Sequence, residues 1–197
     1  LMGEQGGYIE TPEFEPGSYY MPFSNQLDFM GQAVPFWMYV SGNNLLKEQV
    51  PSKSLMESQL EDYVRNRLDF CDFSKFREAG YDIYVDEGEV EAKINDRKVE
   101  FDLKNRISIF YHNSSVLVEE HSFEVESKLG LFYDNAMEVY NYWKESYFLE
   151  RYALDVLRLY APVTGSEISC VPKFFDEGKI RSDIVDGLVS NIATLKL

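Results

Sequence analysis

Cysteine and histidine are scarce in this chain, two of each in 197 residues. Zinc and iron–sulfur sites are built mainly from those side chains, so no metal centre of the usual composition is expected, and no cofactor. Positive charge is also scarce: 19 Lys and Arg stand against 34 Asp and Glu, a net charge of -15. Phosphate backbones are held by Lys and Arg with release of counterions, so a nucleic-acid partner is not expected. Docking on an anionic lipid surface is disfavoured for the same reason. Long apolar runs are missing as well. The longest, Ala33 to Val40, contains Pro35 and falls far short of the roughly 20 residues of a spanning helix. Membrane attachment would need an anchor that this chain does not contain. Leu1-Met2-Gly3-Glu4 places Met second, which reads as a processed end.

What is abundant is aromatic and apolar material. Fourteen Phe, fourteen Tyr and two Trp lie within a chain that is 45% hydrophobic, enough for a core and unlike a disordered segment. The acid excess is uneven. Residues 1–52 carry a net -5, residues 53–126 a net -8 and residues 127–197 only -2. Such a balance speaks of solubility and self-repulsion more than of a ligand, and no clustered acidic loop marks a cation site.

The chain reads as one domain over 1–197 with four zones. Residues 1–45 are punctuated by Gly6-Gly7, Pro12, Pro16-Gly17, Pro22, Gly31, Pro35 and Gly42, which forbids a long helix. The same zone holds nine aromatics, so it is expected as an ordered extended segment, with strands at Tyr8 to Thr11 and Val34 to Val40. Residues 52–80 are expected to be helical. Ser52 or Ser54 can cap the helix, Ser54 and Glu57 have capping-box spacing, and Leu55, Met56, Leu60, Tyr63, Val64 and Leu68 recur at three- and four-residue steps.

From Tyr81 the apolar period drops to two, with turn residues at Asp86-Glu87-Gly88, Asn95-Asp96, Lys104-Asn105 and Asn113-Ser114. Connections this short join antiparallel neighbours. A meander of about five strands is expected over 81–126, with one polar and one buried face. Residues 127–197 are expected to be mainly helical, with a stripe from Leu129 to Tyr147, its extension towards Pro162, and a last helix from about Ser182. Helices packed on one side of an antiparallel sheet give an α+β fold.

Few residues suggest chemistry. Cys71 and Cys170, if joined, close a loop of roughly 100 residues worth about 4–5 kcal/mol in the chain-entropy model; two unrelated buried thiols are the alternative. Asn113-Ser114-Ser115 fits the N-glycosylation pattern and also suits a plain hairpin turn. His112 and His121, counted across an Asn113-Ser114 turn, fall opposite Ser115 and Arg106 and so do not meet. Glu119 and Glu120 are strand neighbours and point to opposite faces, unlike a catalytic dyad. No phosphate-binding glycine loop, nucleophile elbow or zinc-helix motif is present, and no catalytic residue is assigned. Tyr19, Tyr20, Phe36 and Trp37 are the binding candidates, as a stacking platform for sugar rings or an apolar contact for a partner; aromatics that cover their own core are the alternative.

Several short strings occur together and in order: Gly6-Gly7-Tyr8-Ile9, Gly31-Gln32-Ala33-Val34-Pro35-Phe36-Trp37, the helix from Leu60 to Leu68 leading to Cys71, Ser169-Cys170-Val171-Pro172-Lys173, and Asn191-Ile192. In these the chain resembles a family of uncharacterised, membrane-anchored extracellular proteins of small-genome (DPANN) archaea. The chain departs from the pattern at Phe36, where Tyr is commoner. The resemblance implies an exterior location, a hydrophobic anchor before the Gly-Gly-Tyr-Ile string, and a Cys71–Cys170 disulfide. It brings no catalytic residues. The expected function is a non-enzymatic cell-surface interaction domain that contacts another surface protein or a glycan. The rivals are a carboxylate-dependent hydrolase of an extracellular substrate and a structural subunit of a surface assembly.

Overall fold

A computed structural model describes residues 2–19, 21–68, 70–160 and 176–192. It has helices and antiparallel strands in separate stretches, an α+β fold. The chain divides into two compact units, Leu1–Tyr133 and Asp134–Leu197.

The glycine and proline punctuation of the N-terminal zone gives a short 3-10 turn at Met2–Gln5 and two small hairpins. Strand β1 (Gln26–Phe29) pairs with β2 (Gln32–Pro35), and β3 (Met38–Val40) pairs with β4 (Leu46–Glu48). The expected strand at Tyr8 to Thr11 does not form. Tyr8 is buried and its hydroxyl donates to the Gln49 carbonyl (2.6 Å), while the Ile9 N–H donates to Gln59 Oε1 (2.7 Å). A side-chain amide replaces the ladder there. The strand expected over Val34 to Val40 breaks at Phe36, whose N–H donates to the Asn25 carbonyl. Asn25 itself is fully buried. Its amide donates to the Glu13 carbonyl (2.8 Å) and accepts from the Glu15 N–H (2.9 Å), so one side chain stitches the zone together.

Helix α1 (Lys53–Leu68) is capped by Ser52, whose hydroxyl accepts the Leu55 N–H (3.1 Å). The Ser54–Glu57 capping box does not form, because Glu57 is used elsewhere. Its carboxylate accepts the Ile94 N–H (2.9 Å), and Glu61 one turn on accepts the Ala92 N–H (3.0 Å). Helix α2 (Ser74–Glu78) follows and ends near Gly80.

The region 81–126 holds six strands rather than five: β5 (Asp82–Val85), β6 (Glu89–Ile94), β7 (Lys98–Lys104), β8 (Ile107–Tyr111), β9 (Ser114–Val118) and β10 (His121–Glu126). They form two three-stranded sheets, β10-β7-β6 and β5-β8-β9, rather than a single sheet of five. The registers explain the split. Pairing of β6 with β7 runs from Ile94↔Val99 to Glu89↔Lys104 and resumes one residue out of step at Val85↔Ile107. On the other side Val118↔Ile107 and His121↔Leu103 show a matching offset. Three long antiparallel segments are therefore bent together at one level, through a bulge at Asp86-Glu87-Gly88, Asn105-Arg106 and Glu119-Glu120. Gly88 is required at the bend: a Cβ there would fall on the Asn105 side chain and 2.6 Å from the Lys104 carbonyl oxygen. The stretch from Ser114 to Glu126 is divided into β9 and β10 at Glu119-Glu120 for this reason.

The half of this ribbon made of β6, β7 and β10 carries the core. Strict alternation sends Val90, Ile94, Val99, Phe101 and Leu103 inward against Met56, Leu60 and Val64 of α1, with Met2 and Leu129 completing the cluster. Its other face is a charge ladder, with Lys98 between Glu100 and Glu124 and Lys104 on Glu91. Trp37 and Tyr133 meet with ring centroids 6.3 Å apart, and the Tyr133 hydroxyl donates to the Pro51 carbonyl (2.9 Å).

Helix α3 (Leu129–Ser146) runs across the boundary between the units. It ends at Tyr147, which takes a positive φ of 50° before α4 (Phe148–Tyr160) begins. In the second unit α4 contacts α5 (Glu177–Ile192), which starts five residues earlier than expected because Asp176 caps it, accepting the Lys179 N–H (3.1 Å).

Candidate interaction surface

The two halves of the ribbon differ in sequence, and the difference decides what each face can do. Strands β6, β7 and β10 alternate apolar and charged residues. Strands β5, β8 and β9 read Asp-Ile-Tyr-Val, Ile-Ser-Ile-Phe-Tyr and Ser-Ser-Val-Leu-Val, so apolar residues fall on both faces. One face carries Ile83, Val85, Ile107, Ile109, Tyr111, Val116 and Val118; the other carries Tyr84, Phe110 and Leu117. Helix α1 packs on β6, and the short α2 meets β5. Of these side chains Ile83 alone is buried, while Tyr84 (61%), Val116 (58%) and Leu117 (54%) are largely exposed. Tyr84 and Phe110 make an edge-to-face pair at 5.9 Å, and Tyr81 stacks on Tyr111 at 4.4 Å. Exposed apolar side chains on both faces of one small sheet suit association with a partner.

The edges of the ribbon differ as well. The outer edge of β6 is closed by Glu57 and Glu61, and β10 carries Glu124 and Glu126. Strand β9 is uncharged and has no strand on its outer side among the described residues. Unpaired edge amides are a template for another strand.

The residues singled out in the sequence are not brought together. Tyr19 is exposed in the Ser18–Met21 turn, where Ser18 N–H donates to the Met21 carbonyl, and Tyr20 lies outside the described residues. Phe36 is exposed. Trp37 is half-buried, with its indole N–H donated to the Gly6 carbonyl (2.8 Å) and its ring against Tyr133. Trp37 thus packs within its own unit, while Phe36 beside it stays exposed. Asn113 is exposed in the turn, but the turn is His112-Asn113, closed by Tyr111↔Ser114, one residue earlier than counted from the sequence. His121 accordingly faces Leu103 and not Arg106. Cys71 is an exposed free thiol three residues after α1; Cys170 lies outside the described residues.

Concave places lie elsewhere on the first unit. An open groove of about 1300 Å³ is lined by Lys53, Asp96, Arg97, Lys98, Glu124 and Lys128 among others. Lys98 is paired within it: the hydrogen bonds that its ammonium donates to Glu100 and Glu124 push it up to about 12, and Lys98 in turn holds the Glu100 carboxyl below its ordinary value. A general acid needs the opposite shift. Glu15 and Asp72 are lowered too, by Lys47 and by the Ser74 N–H respectively. A cleft of about 340 Å³ lies between Ile9, Gln59, Tyr63, Arg67 and Phe70, where the Arg67 guanidinium already covers the Tyr63 ring at 4.6 Å. Among the described residues no group of three or more His, Cys, Asp or Glu side chains could hold a metal ion, and no helix is long and apolar enough to cross a membrane.

No protein-family model, curated protein or solved structure matches the chain.

The sequence did carry a signal for this surface. Loss of strict alternation in 82–85 and 107–118, beside its persistence in 89–104 and 121–126, separates a two-sided apolar sheet from a one-sided one.

Proposed function

We propose that the chain is a non-enzymatic interaction domain displayed at a cell surface, and that β5, β8 and β9 make its contact with another surface protein. The carrying observation is the exposure of Tyr84, Phe110, Val116 and Leu117 on a three-stranded sheet outside the core cluster that α1 packs against. An apolar sheet with an open edge recognises a polypeptide better than a sugar, because a strand supplies both backbone pairing and apolar side chains. Exposure of Asn113 in its turn suits N-glycosylation, and an exterior home suits a Cys71–Cys170 disulfide and an anchor preceding the Gly-Gly-Tyr-Ile string. Membership of the archaeal surface family belongs to the same proposal.

The test is saturable binding of labelled chain to cell envelopes of the organism that makes it, with Phe110→Ser and Leu117→Ser as comparisons. Hot-spot residues cost about 2 kcal/mol or more when truncated, so about a 30-fold loss is expected in each variant and a larger one in the double variant. Equal binding by the variant contradicts the proposal. So does turnover of any substrate that one substitution abolishes.

A further inference from the structure

Strand β9 is Ser114-Ser115-Val116-Leu117-Val118, with no charge, proline or glycine. It closes on β8 through the two-residue loop His112-Asn113, so Tyr111 and Ser114 form the hydrogen-bonded pair next to the loop. Bonded and non-bonded pairs alternate along an antiparallel ladder. The backbone groups of Ser114, Val116 and Val118 therefore point to β8, and those of Ser115 and Leu117 point out from the edge.

We infer that a second copy of this chain pairs with β9 in antiparallel register about a two-fold axis at Val116, which joins two β5-β8-β9 sheets into one of six strands. The inference rests on the reading of this sheet as the contact surface and names its occupant.

The register follows from the residues. The outward groups of Ser115 meet those of Leu117 of the second copy, and the reverse, which makes two hydrogen-bonded pairs around a non-bonded Val116 pair. That pair brings β-branched side chains close on one face, flanked by Ile109 and Tyr111 of each copy. On the other face each Leu117 lies over a Ser115 of the second copy, and that small residue separates it from Phe110. Large side chains thus alternate with small ones along the row.

Charge does not oppose the same axis. Just beyond the strand, Glu119 falls opposite Asn113 and Glu120 opposite His112, so no two acids face each other. Glu119 is in addition paired with Arg106 at 3.3 Å. In a chain with a net charge of -15, an edge whose self-pairing opposes no like charges stands apart from β10, where Glu124 and Glu126 lie on the strand. The contact is small beside the 20–30 residues per side of a stable interface, so the dimer is weak, with a dissociation constant between about 1 μM and 1 mM.

Sedimentation equilibrium of the whole chain across that range tests this directly. A concentration-dependent monomer–dimer equilibrium is expected. Val116→Lys and Val116→Glu each place like charges together at the axis and should weaken the dimer at least about tenfold. Mixed in equal amounts they should associate again as a one-to-one heterodimer, a rescue that only a pairing of position 116 with itself provides. Val116 is mostly exposed, so both variants should keep the wild-type circular dichroism; if either loses it, the wild-type concentration series decides. A monomer at every concentration, wild-type association by both variants, or no rescue on mixing overturns the inference. If envelope binding persists while the chain stays monomeric, the dimer fails and the interaction reading stands. Loss of both defeats both.

Discussion

Phe101 and Phe110 lie nine residues apart in one bent segment of the ribbon, and the fold assigns them opposite duties. Phe101 is 6% exposed in the core against α1, with its ring stacked on Phe123 at 4.9 Å. Truncation to Ala removes transfer energy and leaves a cavity, a loss of about 3–5 kcal/mol. Phe110 is 44% exposed and touches Tyr84 edge-on. Full burial of a Phe is worth about 1.5–3 kcal/mol, and roughly half of that applies here. The ring pair adds about 0.5–1.5 kcal/mol, and no cavity forms because the site opens to water. Phe110→Ala should therefore cost about 1.3–3 kcal/mol, less than Phe101→Ala. Urea unfolding followed by Trp37 fluorescence in a Trp143→Phe background reads the Leu1–Tyr133 unit alone, since Trp143 lies in the other. Equal losses within about 0.5 kcal/mol, or a larger one for Phe110→Ala, would refute the division of the ribbon into a core half and a contact half.

Three further outcomes are expected. Gly88→Ala sets a Cβ against Asn105 and the Lys104 carbonyl, and overpacking of this kind costs about 1–3 kcal/mol in urea unfolding; an unchanged midpoint would contradict the bend. Glu61→Ala leaves the Ala92 N–H without its carboxylate, a loss of about 1.5–3 kcal/mol, and the amide should exchange faster with deuterium; unchanged exchange there would show that the helix does not close that edge. Lys98 should titrate near 12 and later than ordinary lysines, seen by NMR of its side chain. Because its folded value is raised, the stabilisation is complete below the ordinary 10.5 and is lost as pH climbs through the raised value. Lys98→Met should abolish that late titration and let Glu100 return towards the ordinary carboxylate range.

The helices and the alternating strands were legible because a single periodicity governs each. Met56, Leu60 and Val64 face one way along α1, and Val99, Phe101 and Leu103 face one way along β7, as their spacing requires. The bend was not legible, because its cause is a close approach of Gly88 to Asn105, residues far apart in sequence. Glu57 was misread for a related reason: capping-box spacing is local, whereas the edge amides of β6 that claim its carboxylate come from another element. Trp37 looked available for binding because nothing in the sequence shows that Gly6 turns its carbonyl towards the indole. The exposed apolar side chains of β5, β8 and β9, by contrast, were legible as apolar residues at consecutive positions.

Hydrogen exchange at Ser115 and Leu117 is the most direct measurement of that surface. Their amides point out from the edge, so they should exchange rapidly in dilute chain, while Phe101 and Leu103 of the core half stay protected. On binding to envelopes, Ser115 and Leu117 should become protected. Protection that arises around Lys98 or Trp37 instead, with the β9 amides unchanged, would contradict the assignment of the contact to β5, β8 and β9.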